Sequence, residues 1–155
     1  MKGKEFVMKV MKTAHGNLEE ESIEVKTEHR DRIDLLRSRM GLLTGKDKVL
    51  MTMYIENGNS FRQMARLVGV NEACIARRIY KVTERLLRGE YITCLRSRDK
   101  FSKEELDVAK DYLVAGMSMK KIARKRDTTY YRVRKALKKI QGIIALPEAK
   151  AAACA

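Results

Sequence analysis

The chain is poor in several things at once. Its 155 residues hold one proline, no tryptophan and only 6% aromatic residues. Its three cysteines, Cys74, Cys94 and Cys154, are widely spaced and form no CxxC pair. With only His15 and His29 as imidazoles, no metal site is expected, and no cofactor. Reduced thiols of this kind fit a cytoplasmic protein. Long apolar runs are also missing. The opening "MKGKEFVMKVMK" is interrupted by lysines, so neither a signal peptide nor a membrane span is expected there. Paired carboxylates in a ligand pattern, a glycine-rich phosphate loop and a nucleophile beside a base do not stand out either. No catalytic residue, and no enzyme, is expected.

Positive charge is abundant. The formal net charge is +14, while the apolar fraction of 45% is ordinary for a folded protein. Residues 1–43 carry 9 basic and 8 acidic groups, residues 44–88 carry 9 and 4, and residues 89–155 carry 16 and 8. The excess therefore belongs to the middle and C-terminal parts, and it favours a polyanionic partner.

A shift of 58 positions aligns Thr44–Val82 with Ser102–Ile140 without a gap. The six identities are Tyr54/Tyr112, Gly58/Gly116, Ser60/Ser118, Ala65/Ala123, Arg66/Arg124 and Lys81/Lys139. Thr44 and Ser102 stand where helix N-caps are expected, and Ser102-Lys-Glu-Glu105 has capping-box spacing. Val49, Leu50, Met53 and Tyr54 give one helix its apolar side; Leu106, Ala109, Tyr112 and Leu113 do so in the other. Gly58 and Gly116 end these helices, and Ser60 and Ser118 recap the chain. Each unit thus reads as three helices joined by short turns.

The second and third helices of each unit form a helix-turn-helix pattern. Ala65 and Ala123 leave room for a close crossing, and Gly69 suits a left-handed turn residue, with Asp127 in its place in the second unit. Met64, Val70 and Ile75, matched by Ile122, Thr128 and Val133, are the expected anchors. On the third helices, Ile75, Ile79, Val82 and Leu86 form an inward stripe, as do Tyr130, Val133, Leu137 and Ile140. Ala73, Arg77, Tyr80, Lys81 and Glu84 then face outward in the first unit, and Tyr131, Arg134, Lys135 and Lys138 in the second. Such a face suits a major groove.

The candidates for reading bases are Ala73, Arg77, Lys81, Tyr131, Arg134, Lys135 and Lys138. Those for phosphate contact are Ser60, Arg62, Arg66, Arg78, Ser118, Lys120, Lys121, Arg124, Lys125 and Arg126. Between Ser118 and Lys139 ten basic residues meet one acid, Asp127. Cys74 is expected to be buried or half-buried at the flank of the third helix. For Tyr131, stacking on nucleic acid and packing at a helix start are both open.

The expected organisation is all-α. Residues 1–43 form an N-terminal segment, with a charged helix from Ile23 to Met40 carrying Ile33, Leu36 and Met40 on one side. Residues 44–88 form the first unit, 89–101 a linker whose "YITCL" is either a short strand or packed chain, and 102–144 the second unit. Residues 145–155 form a flexible tail, because Pro147 is expected to stop the helix.

The stretch Asp31–Leu87 resembles region four of bacterial sigma factors. The likeness lies in a helix ending in a Leu-rich turn, a tyrosine-bearing helix, a Gly-x-Ser turn, Gly69-Val70, and Ile75, Arg78 and Ile79 on the third helix. It implies a helix-turn-helix module that reads the upstream promoter element and contacts RNA polymerase. An aromatic-rich region for capturing melted promoter DNA is not found, and the second unit has Ala136 where the arginine stands. The expectation is a sequence-specific regulator of transcription, located in the cytoplasm with the nucleoid, that binds double-stranded DNA by placing Asn71–Leu87 and Thr129–Ile140 in the major groove. The alternative is a protein-interaction factor that binds RNA polymerase or another transcription component, with only non-specific DNA affinity. RNA binding stays open, since tyrosines and basic helices also suit single strands.

Overall fold

The computed structural model describes residues 23–153, and each regular element there is helical. In the sequence Phe6, Val7, Met8, Val10 and Met11 form an apolar cluster and "HGNLEEES" (His15–Ser22) a polar loop; both lie outside the described residues. The chain divides into two compact units, Met1–Arg88 and Gly89–Ala155.

In the first unit, α1 (Ile23–Arg39) leads through a 3-10 turn at Met40–Leu42 to α2 (Gly45–Ile55), α3 (Phe61–Val68) and α4 (Glu72–Arg88). Leu36, Met40, Leu43, Leu50, Met51, Tyr54, Met64, Ile75, Ile79, Val82 and Leu86 are buried. The charged helix read from Ile23 to Met40 is therefore present, with Leu36 and Met40 facing inward. Arg39 ties it down by donating to the Leu86 and Leu87 carbonyls, at 2.6 and 3.0 Å. Those carbonyls belong to the last turn of α4, which has no intrahelical donors left to offer them. Tyr54 stacks on Phe61 with centroids 5.0 Å apart, and Tyr80 meets Phe61 edge-on at 5.9 Å, so one aromatic cluster joins α2, α3 and α4.

The second unit comprises α5 (Glu90–Arg96), a 3-10 turn at Arg98–Lys100, α6 (Lys103–Ala109) running into a π turn at Lys110–Val114, α7 (Met119–Lys125) and α8 (Tyr130–Ala153). Within residues 89–101, expected as a linker whose "YITCL" is a short strand or packed chain, Glu90–Arg96 and Arg98–Lys100 are helical, so the strand alternative falls while Cys94 is packed. Gly89, at φ 65°, redirects the chain within one residue, and Cys94 and Phe101 are then buried with Ile122, Val133, Leu137 and Ile140. The tail expected from residue 145 is also helical as far as Ala153.

The repeat read from Thr44 onward is longer in the structure than in the sequence. α2 and α6 begin at 45 and 103, α3 and α7 at 61 and 119, α4 and α8 at 72 and 130. Backbone hydrogen bonds recur at the same interval: Val70 to Ala65 and Thr128 to Ala123, Asn59 to Met53 and Met117 to Asp111, Ile75 to Asn71 and Val133 to Thr129. The correspondence extends upstream of residue 44. The 3-10 turns at Met40–Leu42 and Arg98–Lys100 match, the Leu43 and Phe101 N–H groups donate to the Met40 and Arg98 carbonyls of their own turns, and the buried pairs Leu36/Cys94 and Leu43/Phe101 share positions.

Several side chains differ from expectation. Val49, Val70 and Tyr130 are exposed, while Met51 and Val108 take core positions. Tyr80 is half-buried on Phe61 and does not join the outer face. Cys74 is exposed, since its place on α4 lies one residue off the inward stripe.

Candidate nucleic-acid interface

Short caps fix each helix that would approach a polyanion. Ser60 begins α3 with a full capping box: its hydroxyl accepts from the Gln63 N–H at 3.3 Å, and the Ser60 N–H donates to Gln63 Oε1 at 2.8 Å. Ser118 caps α7 in the equivalent place, accepting from the Lys121 N–H at 3.4 Å. Both hydroxyls are thus engaged with their own helices. Gly69 then turns the chain at φ 72°, and Asp127 does the same at φ 47°. Asn71 Oδ1 accepts from the Ala73 N–H at 2.8 Å and Thr129 Oγ1 from the Arg132 N–H at 3.3 Å, so α4 and α8 both start on side-chain caps.

These starts set the roll of the third helices. Ile75, Ile79, Val82 and Leu86 are buried on α4, and Val133, Leu137 and Ile140 on α8. The opposite faces carry Ala73, Arg77 and Lys81 in the first unit and Tyr131, Arg134, Lys135 and Lys138 in the second, all exposed. Arg77 lies back along α4, donating from Nε to the Ala73 carbonyl at 3.1 Å. Of the candidates on the preceding helices, Arg62, Arg66, Lys120, Lys121 and Arg124 are exposed.

Three candidates for phosphate contact are already paired with carboxylates of their own unit. Arg78 Nε donates to Asp47 Oδ1 at 2.6 Å, and Arg85 lies 3.6 Å from the other oxygen. Lys125 donates to Asp111 at 2.6 Å, and Arg126 reaches both Asp111 and Asp107 at 2.7 Å. Asp111 is only 4% exposed. Burial pushes its carboxyl up, but hydrogen bonds from Arg126 and Lys125 outweigh that and hold it below the ordinary value. This ionic cluster escaped the sequence reading, although its signal was available: Asp111 interrupts the apolar side that runs from α6 into the π turn, and two cations follow one helix later.

A second acid plays a comparable part. Glu105 Oε2 accepts from Lys139 Nζ at 2.7 Å, and Lys139 also lies over the Phe101 ring at 5.7 Å. Asp47 and Glu105 occupy matching positions, so a first-turn acid holds the third helix in both units. Arg78 serves in the first; Ala136 replaces it in the second, and Lys139, one turn on, takes over. A pocket of about 630 Å³ lies between α6 and α8, lined by Glu104, Glu105 and Asp107 on one side and Arg132, Lys135 and Lys139 on the other. Its mixed charge selects neither an anion nor a cation.

Among the described residues no cluster of His, Cys, Asp or Glu is placed to hold a metal ion, and no helix is long and apolar enough to cross a membrane. No family model matches the chain, and neither curated proteins nor solved structures give a significant match.

Proposed function

We propose that this chain is a sequence-reading, double-stranded-DNA-binding regulator of transcription built from two helix-turn-helix pairs, α3–α4 and α7–α8. The supporting observation is that both pairs present the same thing at the same place. A capped helix and a positive-φ turn lead into a helix whose inner stripe is buried and whose outer face is exposed and basic. An outward face with Arg77 and Lys81, or with Arg134, Lys135 and Lys138, offers donors to guanine edges in a major groove. Small Ala73 permits close approach. Arg62 and Arg66, with Lys120, Lys121 and Arg124, supply phosphate contacts that set the register.

Arg78, Lys125 and Arg126 contribute less to phosphate binding in this reading, because each already satisfies a carboxylate. The nearby charge still adds to the field that draws the protein to DNA.

The test is selection of bound sequences from randomised duplex DNA at about 150 mM salt, where non-specific binding is weak. An enriched motif supports the reading, and its length tells whether one unit or both read bases. Binding without enrichment that vanishes as salt rises would overturn it and favour a factor acting through RNA polymerase or another protein.

A further inference from the structure

The two units share a backbone, so the space between α2 and α4 can be compared with that between α6 and α8. In the first unit Arg78 crosses from α4 to α2, where its Nε donates to Asp47 Oδ1 at 2.6 Å. In the second, Ala136 stands at the matching position and cannot cross. Lys139 holds Glu105 instead, at 2.7 Å, from about one turn further along α8. Beside Ala136 the cavity of about 630 Å³ remains. That volume falls within the range of about 300 to 1,000 Å³ usual for small-molecule sites.

The cavity has an apolar part and a charged part. Val108 and Val133 are buried, and Ala136 beside them is half-buried. Of the charged residues that line it, Glu105 is paired with Lys139 and Asp107 with Arg126. Glu104 on α6, and Arg132 and Lys135 on α8, are exposed and make no ion pair among the described residues. Asp127, the remaining acid, belongs to the turn that leads into α8. The fold does not require Glu104 and Arg132 here. Their positions in the first unit hold Lys46 and Cys74.

The unpaired groups define the ligand. A simple anion would meet Arg132 and Lys135 but leave Glu104 facing it, and a simple cation would face the reverse conflict. A ligand that carries both charges satisfies both sides. An α-amino acid holds its two charges on one carbon, whereas groups on two helices call for charges at opposite ends of a chain. The chain between them would lie against Val108, Val133 and Ala136, which favours methylenes.

We infer that the cleft between α6 and α8 binds an elongated aliphatic zwitterion, its ammonium on Glu104 and its carboxylate on Arg132 and Lys135. The Arg132 guanidinium offers a carboxylate two parallel N–H donors, and Lys135 adds a point charge. Lys135 also belongs to the outer face assigned to bases, so a bound carboxylate withdraws one donor from DNA. That consequence alone rests on the proposed function; the site itself does not.

The experiment is calorimetric titration of the full chain, without DNA, by ω-amino acids lengthened one methylene at a time from β-alanine. Diamines and dicarboxylates of matched length are the controls. Saturable binding with Kd of about 1 mM or tighter is expected, strongest at one chain length. Matched diamines and dicarboxylates should bind at least about tenfold more weakly, the loss of one charged partner. Ala136→Arg, which installs the first unit's residue, should abolish binding. Glu104→Gln should weaken the ω-amino acid about tenfold and leave the matched monocarboxylate unchanged. Thermal melting checks that both variants fold, and the exposed Glu104→Gln decides alone if Ala136→Arg does not. Absence of saturable binding, indifference to chain length, equal binding of either control, or unchanged affinity in Glu104→Gln would overturn the inference. In a separate titration the bound zwitterion should weaken duplex binding. A chain that takes the zwitterion but no DNA would overturn the proposed function and uphold the site.

Discussion

Arg126 Nε lies 2.7 Å from Asp111 Oδ2, and the position matching Asp111 in the first unit holds Met53. A carboxylate buried to this degree is stable as an ion only because two cations meet it. Asp111→Asn should therefore destabilise the second unit by about 2 kcal/mol, leaving Arg126 and Lys125 without their acceptor. Asp111→Met paired with Arg126→Val should cost less than the single change, because an apolar junction is what the first unit already uses. Urea unfolding of Asp111→Asn, Asp111→Met, Arg126→Val and the double variant measures both; a double variant no more stable than Asp111→Met alone would contradict the account.

Acid should attack the two units unequally. Burial pushes the Asp111 and Glu105 carboxyls up, but their cations prevail and depress both. A depressed folded value stabilises the fold above the ordinary carboxylate range, and that stabilisation is lost as pH falls through the lower folded value. The ordinary values are 4.5 for Glu105 and 3.8 for Asp111, so the loss in the second unit should begin as pH falls below 4.5 and deepen below 3.8. Alkali should act on both units, since burial raises the Cys94 thiol and the Tyr91 phenol of the second as well. Burial, and then Tyr80, raise the Tyr54 phenol from 10.0 to about 12. Its stabilisation is complete below pH 10 and disappears as pH rises through about 12. Residue-resolved amide exchange across pH would show which unit opens first at each extreme.

The turn residues make a third comparison. Gly69 is left-handed, and a Cβ there would meet no atom within 4 Å. Gly69→Ala should thus destabilise by about 1 to 2 kcal/mol through backbone strain alone. Asp127→Gly relieves the same strain in the second unit and should be close to neutral or mildly stabilising. Thermal unfolding of the pair checks the sign difference.

Removing the caps should be felt about equally in both units. Ser60→Ala and Ser102→Ala each break a reciprocal capping box, at a cost of about 1 kcal/mol. Thr44→Ala should cost much less, because Thr44 makes no side-chain cap bond. A series of denaturant melts would rank the three.

Under the proposed function, Arg77→Ala should relax base preference at one position of the selected motif, by about 1 to 3 kcal/mol. Changing Lys120, Lys121 and Arg124 together should weaken all sequences alike and flatten the salt dependence by about three phosphates. Titrations of cognate and scrambled duplexes at several salt concentrations separate these patterns. Uniform loss from Arg77→Ala would remove its assigned role.

The helical class and the inward stripes were legible because residues such as Ile75, Ile79 and Val82 recur with helical spacing and have no polar alternative face. Gly58, Gly69 and Gly116 were legible for the same kind of reason, since each is needed at positive φ. The helix at Glu90–Arg96 was not legible. It spans seven residues, carries one buried side chain, Cys94, and its counterpart in α1 shares no identity with it. Local pattern carries too little signal at that length; packing against α8 decides it. At the candidate interface, exposure of Arg77, Lys81, Arg134, Lys135 and Lys138 followed from the stripes. The capture of Arg78, Lys125 and Arg126 did not: an acid on an apolar side, as at Asp111, signals that a cation must meet it, but spacing within one helix does not say which cation across the turn does so.

The repeated backbone also carries a hazard that its divergence answers. Two tandem copies of one fold invite exchange during folding, when a helix of one copy docks into the framework of the other. Their interiors make such an exchange unrewarding. Tyr54, Phe61 and Tyr80 interlock in the first unit, whereas Tyr112, Met119 and Lys138 occupy those places in the second. An α8 misplaced onto Phe61 would bring an ammonium where a ring belongs, and an α3 misplaced beside Asp111 would bring Leu67 where a cation is required. Gly58/Gly116 and Ser60/Ser118 keep one turn and one cap identical in the aligned stretch, and the cores have drifted far enough apart for each copy to recognise its own helices.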